Sequence, residues 1–558
     1  MTILRPIILL AIITFVKPTR ALWPLPNQLS TGSTLIKLAD DFDITLEAIN
    51  SAPQDLVDAV ARTKDFIAND KLQRLVVGRG SSDSEGLASA PSVPILALSM
   101  DSGFTDSQAR SLSEESMDVL ENRVEAYSLI IPADGSQAEL KANSTLGLFR
   151  GLTTFSQLWY DLDGTTYSVE GPIEIKDEPA YPYRGLMLDT ARNFFPVSDI
   201  KRTLDAMSWV KINTFHWHIV DSQSFPLQVP DFPELASAGA YSSSMMYTPE
   251  DVKDIVDYAA ARGIDVLPEI DTPGHTMIIS KAFPEHIACA EAKPWASFAN
   301  EPPAGQLRLA SVSTMNFTQS LFTSVSSMFP GKFFSSGGDE LNTNCYDQDP
   351  ETQAELTASG KTLEEALDTF TQVTHGALHE NGKTAVVWEE MVLEHNVTLS
   401  NDTVVMVWIS SEHAASVAQA GFRFVHAPSD FFYLDCGAGE WIGADPEGNS
   451  WCDPFKTWQK SYTFDPTANL TENEKELVLG GEQLLWTEQS HPSNLDPIVW
   501  PRAASSAEVF WTGPGGDVST ALPRLHDIAF RMNQRGIGAI ALQPLYCALR
   551  PGVCDLDS

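Results

Sequence analysis

The chain has 558 residues, 43% hydrophobic and 20% charged, with a formal net charge of −38. That length suits two domains, one of them large, and the composition belongs to a folded globular protein. The acidic excess argues against nucleic acid and anionic membrane surfaces as partners, because phosphate binding draws on Lys and Arg.

Arg5, the apolar run Pro6 to Val16 and Thr19-Arg20-Ala21 before Leu22-Trp23-Pro24 read as a signal peptide over residues 1–21. The run is too short to span a bilayer, and no later apolar stretch reaches about 18 residues. A secreted glycoprotein is therefore expected, released outside the cell or delivered to an acidic vacuole. Sequons at Asn143, Asn316, Asn396, Asn401 and Asn469 agree with that compartment. So do six cysteines, which allow fifteen pairings. Proximity favours Cys547 with Cys554 and Cys436 with Cys452, leaving Cys289 with Cys345.

Residues 22–175 read as a compact α+β domain. Strands are predicted at Leu75 to Val77, Ile95 to Met100, Tyr127 to Ile131 and Ala138 to Lys141, with Asp134-Gly135 as a hairpin turn. A helix is predicted over Ser144 to Tyr160, capped by Asn143 or Ser144, and an exposed loop over Gly80 to Ser89. Nothing in this part looks catalytic.

Residues 176–558 change pattern. Short apolar runs begin near Gly185, Ile212, Ile264, Lys332, Thr384, Val404, Arg423 and Leu477, and amphipathic stretches such as Asp199 to Lys211 and Glu250 to Arg262 separate them. Eight such alternations predict an α/β fold, a parallel (β/α)8 barrel of the TIM type. An open doubly wound sheet would need a Gly-rich phosphate turn after an early strand, and none is present.

A (β/α)8 barrel carries its active site at the C-terminal ends of its strands. The runs end at Asp189 to Arg192, His216 to Asp221, Glu269 to His275, Gly337 to Glu340, Trp388 and Trp408. The last two lead to Tyr433-Leu434-Asp435 and Trp486-Thr487-Glu488. Carboxylates, an arginine and indoles at every strand end suit a sugar pocket. Asp339-Glu340 carries the most information. Neighbours in a strand point to opposite faces, so both acids reach one pocket only if the strand has ended, which Gly337-Gly338 permits. A glycosidase needs an acid for the leaving oxygen and a second group to manage charge at the anomeric carbon.

Arg184 to Arg192, Phe215-His216-Trp217-His218 with Asp221, Asp271 to His275, Gly337 to Asn342, and Gly480-Gly481-Glu482 with Trp486 and Glu488 resemble glycoside hydrolase family 20 β-N-acetylhexosaminidases of the secreted fungal kind. Leu22 to Pro26 and Phe149 to Phe155 match as well, so the resemblance covers nearly the whole mature chain. It implies an exo-acting, retaining hydrolase of terminal N-acetylhexosamine, with the substrate's acetamido group as nucleophile, no cofactor and no metal. It also implies an acidic pH optimum; relatives are often dimers, so a homodimer is one option and the quaternary state stays open.

Position by position, the resemblance gives Glu340 as general acid/base and Asp339 as the carboxylate that orients the acetamido group. Tyr433 would bond the acetamido oxygen, Arg192 would clamp ring hydroxyls, and Asp435 and Glu488 would bind the others. Trp388, Trp408 and Trp486 would wall the pocket. Asp221 and His275 would support the catalytic carboxylates. Trp441, Trp451 and Trp458 are candidates for the aglycone side. The chain departs from the family at Ser335, Ser222 and Tyr346, where His, a second acid and Trp are common.

Three other readings compete with this one. His216 and His218 share a strand face, as in metal-dependent amidohydrolases on barrels, but the lysine or further histidines of such a site are not evident. A glycan-binding protein without turnover would have no need of Glu340. An endo-chitinase would need an extended cleft. Preference between gluco- and galacto-epimers stays open, since both fit this kind of pocket.

Overall fold

The computed structural model describes residues 21–47, 49, 51–100 and 109–556; the expected signal peptide lies outside them except for Ala21. The N-terminal part is a six-stranded sheet in the order Gln28–Thr45, Ser92–Met100, Ala138–Ala142, Tyr127–Ile131, Thr165–Asp177, Tyr160–Leu162. The first strand also pairs with Thr165–Asp177. Tyr127–Ile131 and Ala138–Ala142 alternate buried and less buried residues, the pattern of strands with one face on a core. Helices Gln54–Asn69 and Thr145–Gln157 contribute to that core, which includes Leu56, Leu129, Leu140, Phe155 and Ile175. Ser144 caps the second helix, its hydroxyl accepting the Gly147 N–H at 2.8 Å.

One expectation for this part is corrected. Leu75 to Val77 is not a strand: it runs into turns at Gly78, Arg79 and Gly80, all at positive φ, and Val77 is 62% exposed with no partner strand. The expected boundary at residue 175 falls inside the strand Thr165–Asp177, whose pairing with Tyr127–Ile131 continues to Asp177.

Eight parallel strands close the barrel: Tyr183–Asp189, Thr214–Val220, Asp265–Ile270, Phe333–Gly337, Thr384–Trp388, Val404–Val407, Arg423–His426 and Val478–Leu485. Six of them are buried at every position, which is why the sequence shows continuous apolar runs instead of alternation. Helices Val197–Trp209, Pro249–Ala260, Val312–Ser326 and Leu363–Glu380 follow the first four strands. The fifth returns through only the single turn Glu390–Leu393.

The two parts share buried ionic contacts. Glu125 accepts from Arg150 Nε at 2.7 Å and from Arg184 Nη2 at 2.6 and 2.7 Å, linking the N-terminal part to the first barrel strand. Trp23 joins the barrel core, donating its indole N–H to the Ala504 carbonyl at 2.7 Å, which gives the Leu22-Trp23-Pro24 motif its role. Burial alone would raise the Glu125 pKa, but Arg184 and Arg150 outweigh it and hold the carboxyl down to about 2. Its stabilisation is therefore fully present above the ordinary carboxylate range and is lost as pH falls toward 2. Glu125→Gln, which strands two buried guanidiniums, should cost about 3–5 kcal/mol at neutral pH. Denaturant midpoints across pH check this: the gap between variant and parent should close as acid protonates Glu125.

Candidate active site

The fourth barrel strand ends where the glycines stand. Gly337 and Gly338 have φ of +68° and +104°, and Glu340 follows at +55°. A Cβ on Gly337 would lie 1.7 Å from Asp271 Oδ1, so a side chain is barred there by both conformation and space. This departure turns Asp339 and Glu340 into the same pocket. Glu340 holds a left-handed backbone without being glycine, a strain of about 1–3 kcal/mol that the surrounding contacts must offset.

Ten of the eleven positions expected at the site line this pocket: Arg192, His275, Asp339, Glu340, Trp388, Trp408, Tyr433, Asp435, Trp486 and Glu488. The eleventh, Asp221, is fully buried behind the wall, where it accepts from His275 Nδ1 at 3.1 Å and pairs with Arg192 Nη2 at 3.0 Å. It supports other residues and does not face the pocket. His275 Nε2 approaches Glu340 Oε2 at 3.3 Å and Asp339 Oδ2 at 3.8 Å.

The two neighbouring acids are held in opposite states. Burial and the adjacent Asp271 carboxyl push Asp339 well above the usual range, and burial lifts Asp271 itself to about 7. Two buried carboxyls this close share a proton. For Glu340, burial raises the pKa, but hydrogen bonding and charge from His275, with help from Asn300 and Arg192, bring it below the ordinary value. His275 remains protonated because Asp221 and Asp339 outweigh its burial.

Aromatic rings form the remaining walls. Trp408 stacks on Tyr433 at 6.3 Å and 11°, Trp388 and Trp486 are 6.1 Å apart, and the Arg192 guanidinium lies 5.0 Å over Trp486. Glu390 accepts the Trp408 indole N–H at 2.8 Å. Asp339 Oδ1, Asp435 Oδ1 and Trp388 Nε1, on residues that line the pocket, are buried with no hydrogen-bond partner among the described residues. Burial lifts Asp435 to about 7 and Glu390 to about 9.

Of the three aglycone candidates, Trp441 and Trp451 line the mouth, and Trp451 sits edge-on to Trp408 at 5.6 Å. Trp458 is instead packed in the barrel core against Tyr462. Disulfides Cys289–Cys345, Cys436–Cys452 and Cys547–Cys554 are present. The second clasps the loop carrying Trp441 and Trp451. The first ties the loop after the third strand to the helix Thr343–Gln348, just past Glu340.

The sequence missed Asn300 and Glu301, which reach the pocket from that loop. Glu301 accepts from Arg192 Nε at 2.9 Å. No periodicity marks them, and only the cysteine at 289 hints that their loop is fastened. Glu390 was missed too, hidden in the run after Trp388. His216 and His218 have every ring nitrogen on a carboxylate, Glu482, Glu269 or Asp221, so neither has one free for a metal.

Residues 181–514 match the family model "Glycosyl hydrolase family 20, catalytic domain", and residues 22–158 match "beta-acetyl hexosaminidase like". The chain is 37% identical over 472 residues to a "Probable beta-hexosaminidase" of Arthroderma benhamiae, covering 78% of this chain and 76% of that one. It is 35% identical over 451 residues to the "Chitooligosaccharidolytic beta-N-acetylglucosaminidase" of Bombyx mori, covering 77% and 74%. Among solved structures, a chitobiase of Flavobacterium johnsoniae superposes with a TM-score of 0.73 at 26% identity, over 93% of this chain and 73% of that one. With barrel, pocket and family model in agreement over most of its length, the chain belongs to glycoside hydrolase family 20.

Proposed function

We propose that the protein is an exo-acting, retaining β-N-acetylhexosaminidase that removes terminal non-reducing N-acetyl-D-hexosamine from chitin oligosaccharides and glycans. The observation that carries this is the Asp339-Glu340 pair on one wall of a pocket closed by Trp388, Trp408, Trp486 and Tyr433. The hexosaminidase names of the relatives support it.

In the first step the acetamido oxygen attacks the anomeric carbon while the glycosidic bond breaks, and Glu340 gives its proton to the leaving oxygen. In the free protein the proton shared with Asp271 rests on Asp339; substrate binding moves it onto Asp271, and Asp339 then accepts the acetamido N–H. Tyr433 donates to the acetamido oxygen, and its hydroxyl keeps its proton because burial and nearby carboxylates raise its pKa well above the usual value. In the second step Glu340 takes a proton from water, which attacks the oxazolinium-like intermediate and restores the β-configuration.

Arg192, Asp435 and Glu488 bind the sugar hydroxyls, and Trp441 and Trp451 supply the aglycone face. We assign residues 22–177 to the sheet domain and 178–558 to the catalytic barrel. Export by the segment 1–21 accords with five sequons whose asparagines are all exposed and with three disulfides. Among the described residues no helix is long and apolar enough to cross a membrane.

Fluorophore release from aryl N-acetyl-β-glucosaminide and N-acetyl-β-galactosaminide by purified protein tests the reading. Turnover of at least one, and none of the corresponding glycoside lacking the 2-acetamido group, is expected. Folded protein that binds these sugars without cleaving them would overturn it.

A further inference from the structure

Behind Glu340 runs an unbroken line of alternating carboxylates and imidazoles. The Tyr183 hydroxyl donates to Glu482 at 2.5 Å, and Glu482 accepts from His216 Nδ1 at 2.9 Å. His216 Nε2 meets Glu269 at 3.0 Å, and Glu269 meets His218 Nδ1 at 2.5 Å. His218 Nε2 meets Asp221 at 2.9 Å, Asp221 meets His275 Nδ1 at 3.1 Å, and His275 Nε2 meets Glu340 at 3.3 Å. The line crosses the barrel interior from the last strand through the second and third.

An imidazole with a carboxylate on each nitrogen satisfies both only by donating twice, that is, as a cation. Burial would strip the protons from His216 and His218, but their carboxylate partners outweigh it and lift them to about 9 and about 10. Charges therefore alternate along the line. Four carboxylates (Glu482, Glu269, Asp221, Glu340) face four cations (His216, His218, His275 and Arg192, which pairs with Asp221). Each buried charge in the line touches an opposite one, which is what makes so many of them tolerable, and Arg192 also pairs with Asp189 and Glu301.

We propose that His218 and Glu269, which touch no substrate, act as positioning residues that set the proton affinity of Glu340 through Asp221 and His275. The inference rests on the acid role read for Glu340 above. The family departure at Ser335 falls in this line: its hydroxyl donates to Glu269, where an imidazole stands in many relatives. In this chain Glu269 therefore has two imidazoles and one neutral donor, and the cation nearest Asp221 from within the barrel is His218.

The surroundings of each member fix the sign. His218 faces Glu269, Asp221 and the edge of Trp486. Asp221 faces Arg192, His275, His218 and the Ser222 N–H. Glu269 faces His216, His218 and Ser335, with the Asp271 carboxyl nearby. Glu340 faces His275, Asn300, Arg192 and Asp339. Removing the His218 cation leaves this cluster more negative, so Glu340 must bind its proton more tightly. Removing the Glu269 charge as well returns the cluster to its original net charge.

The test is the pH profile of kcat/KM for His218→Gln, Glu269→Gln and the double variant, with circular dichroism reporting the fold. His218→Gln should move the basic limb upward by roughly 0.3–1 unit, less than loss of a directly contacting opposite charge because Asp221 and His275 stand between, with KM little changed. The double variant should return at least half of that shift, which additive packing damage would not do. Carbodiimide amidation of Glu340, followed by peptide mass across pH, reads the same affinity without turnover and applies even if no substrate is cleaved. It also serves for Ser335→Ala, the mildest change, should the histidine variant not fold; that variant should move the Glu340 midpoint measurably. An unmoved midpoint in every folded variant would overturn the proposal, and unmoved midpoints beside normal hydrolysis would leave the functional reading intact.

Discussion

Glu340→Gln is expected to lower kcat/KM on an N-acetylhexosamine-terminated oligosaccharide by about 10²–10⁴, the usual worth of a positioned general acid/base. The loss should depend on the leaving group. A sugar oxygen needs the proton from Glu340 as the bond breaks, whereas an activated phenol leaves nearly unaided, so the aryl glycoside should lose far less in that step. The pH profile should change with it. His275 holds the Glu340 pKa below the ordinary carboxylate value in the free protein, so the protonated acid is depleted as pH rises through the acid range. Wild-type kcat/KM should fall on that limb, while the amide, which cannot titrate, should give a flat one. Equal losses on both leaving groups, or an unchanged limb, would remove Glu340 from the acid role.

Asp339→Asn should cost about 10²–10³ in kcat, because it removes the negative charge that faces the developing oxazolinium cation. Its effect on stability should run the other way. Asp339 is held well above its unfolded pKa by burial and Asp271, so the folded state binds the extra proton. Stability therefore falls as pH rises between the unfolded and folded values, and the amide escapes that loss. The variant should melt at or above the wild type at neutral pH, with the difference shrinking in acid. An inactive variant that also melts well below wild type at neutral pH would mean that Asp339 is structural.

The barrel was legible because its strands are buried on both faces and read as continuous apolar runs, and because barrel sites lie at one end of those strands. That rule brought Arg192, Tyr433 and Glu488 to the strand ends, and all three line the pocket with nearly 300 residues of chain between the first and last. Gly337-Gly338 was readable because glycine tolerates backbone conformations barred to other residues; the structure adds that a Cβ on Gly337 would strike Asp271 and one on Gly338 would strike Met391. Asn300 and Glu301 were not, because they sit on an irregular loop whose position depends on a disulfide and on Arg192. The buried line through Glu269 was half-visible: His216 and His218 were seen to share a face, but their carboxylate partners come from other strands. In the sheet domain the long strand Gln28–Thr45 gave no clear alternation. Leu75 to Val77 has the apolar composition of a strand and no partner to pair with.

The central claim is that the substrate's own acetamido group performs the displacement. The direct measurement is kcat/KM for one aryl glycoside carrying N-acetyl, N-fluoroacetyl, N-difluoroacetyl and N-trifluoroacetyl groups. Each fluorine draws electrons from the attacking oxygen, so rates should fall steeply and monotonically along the series. A flat series from an active enzyme would contradict the account, because it would mean that a protein side chain or water attacks the anomeric carbon.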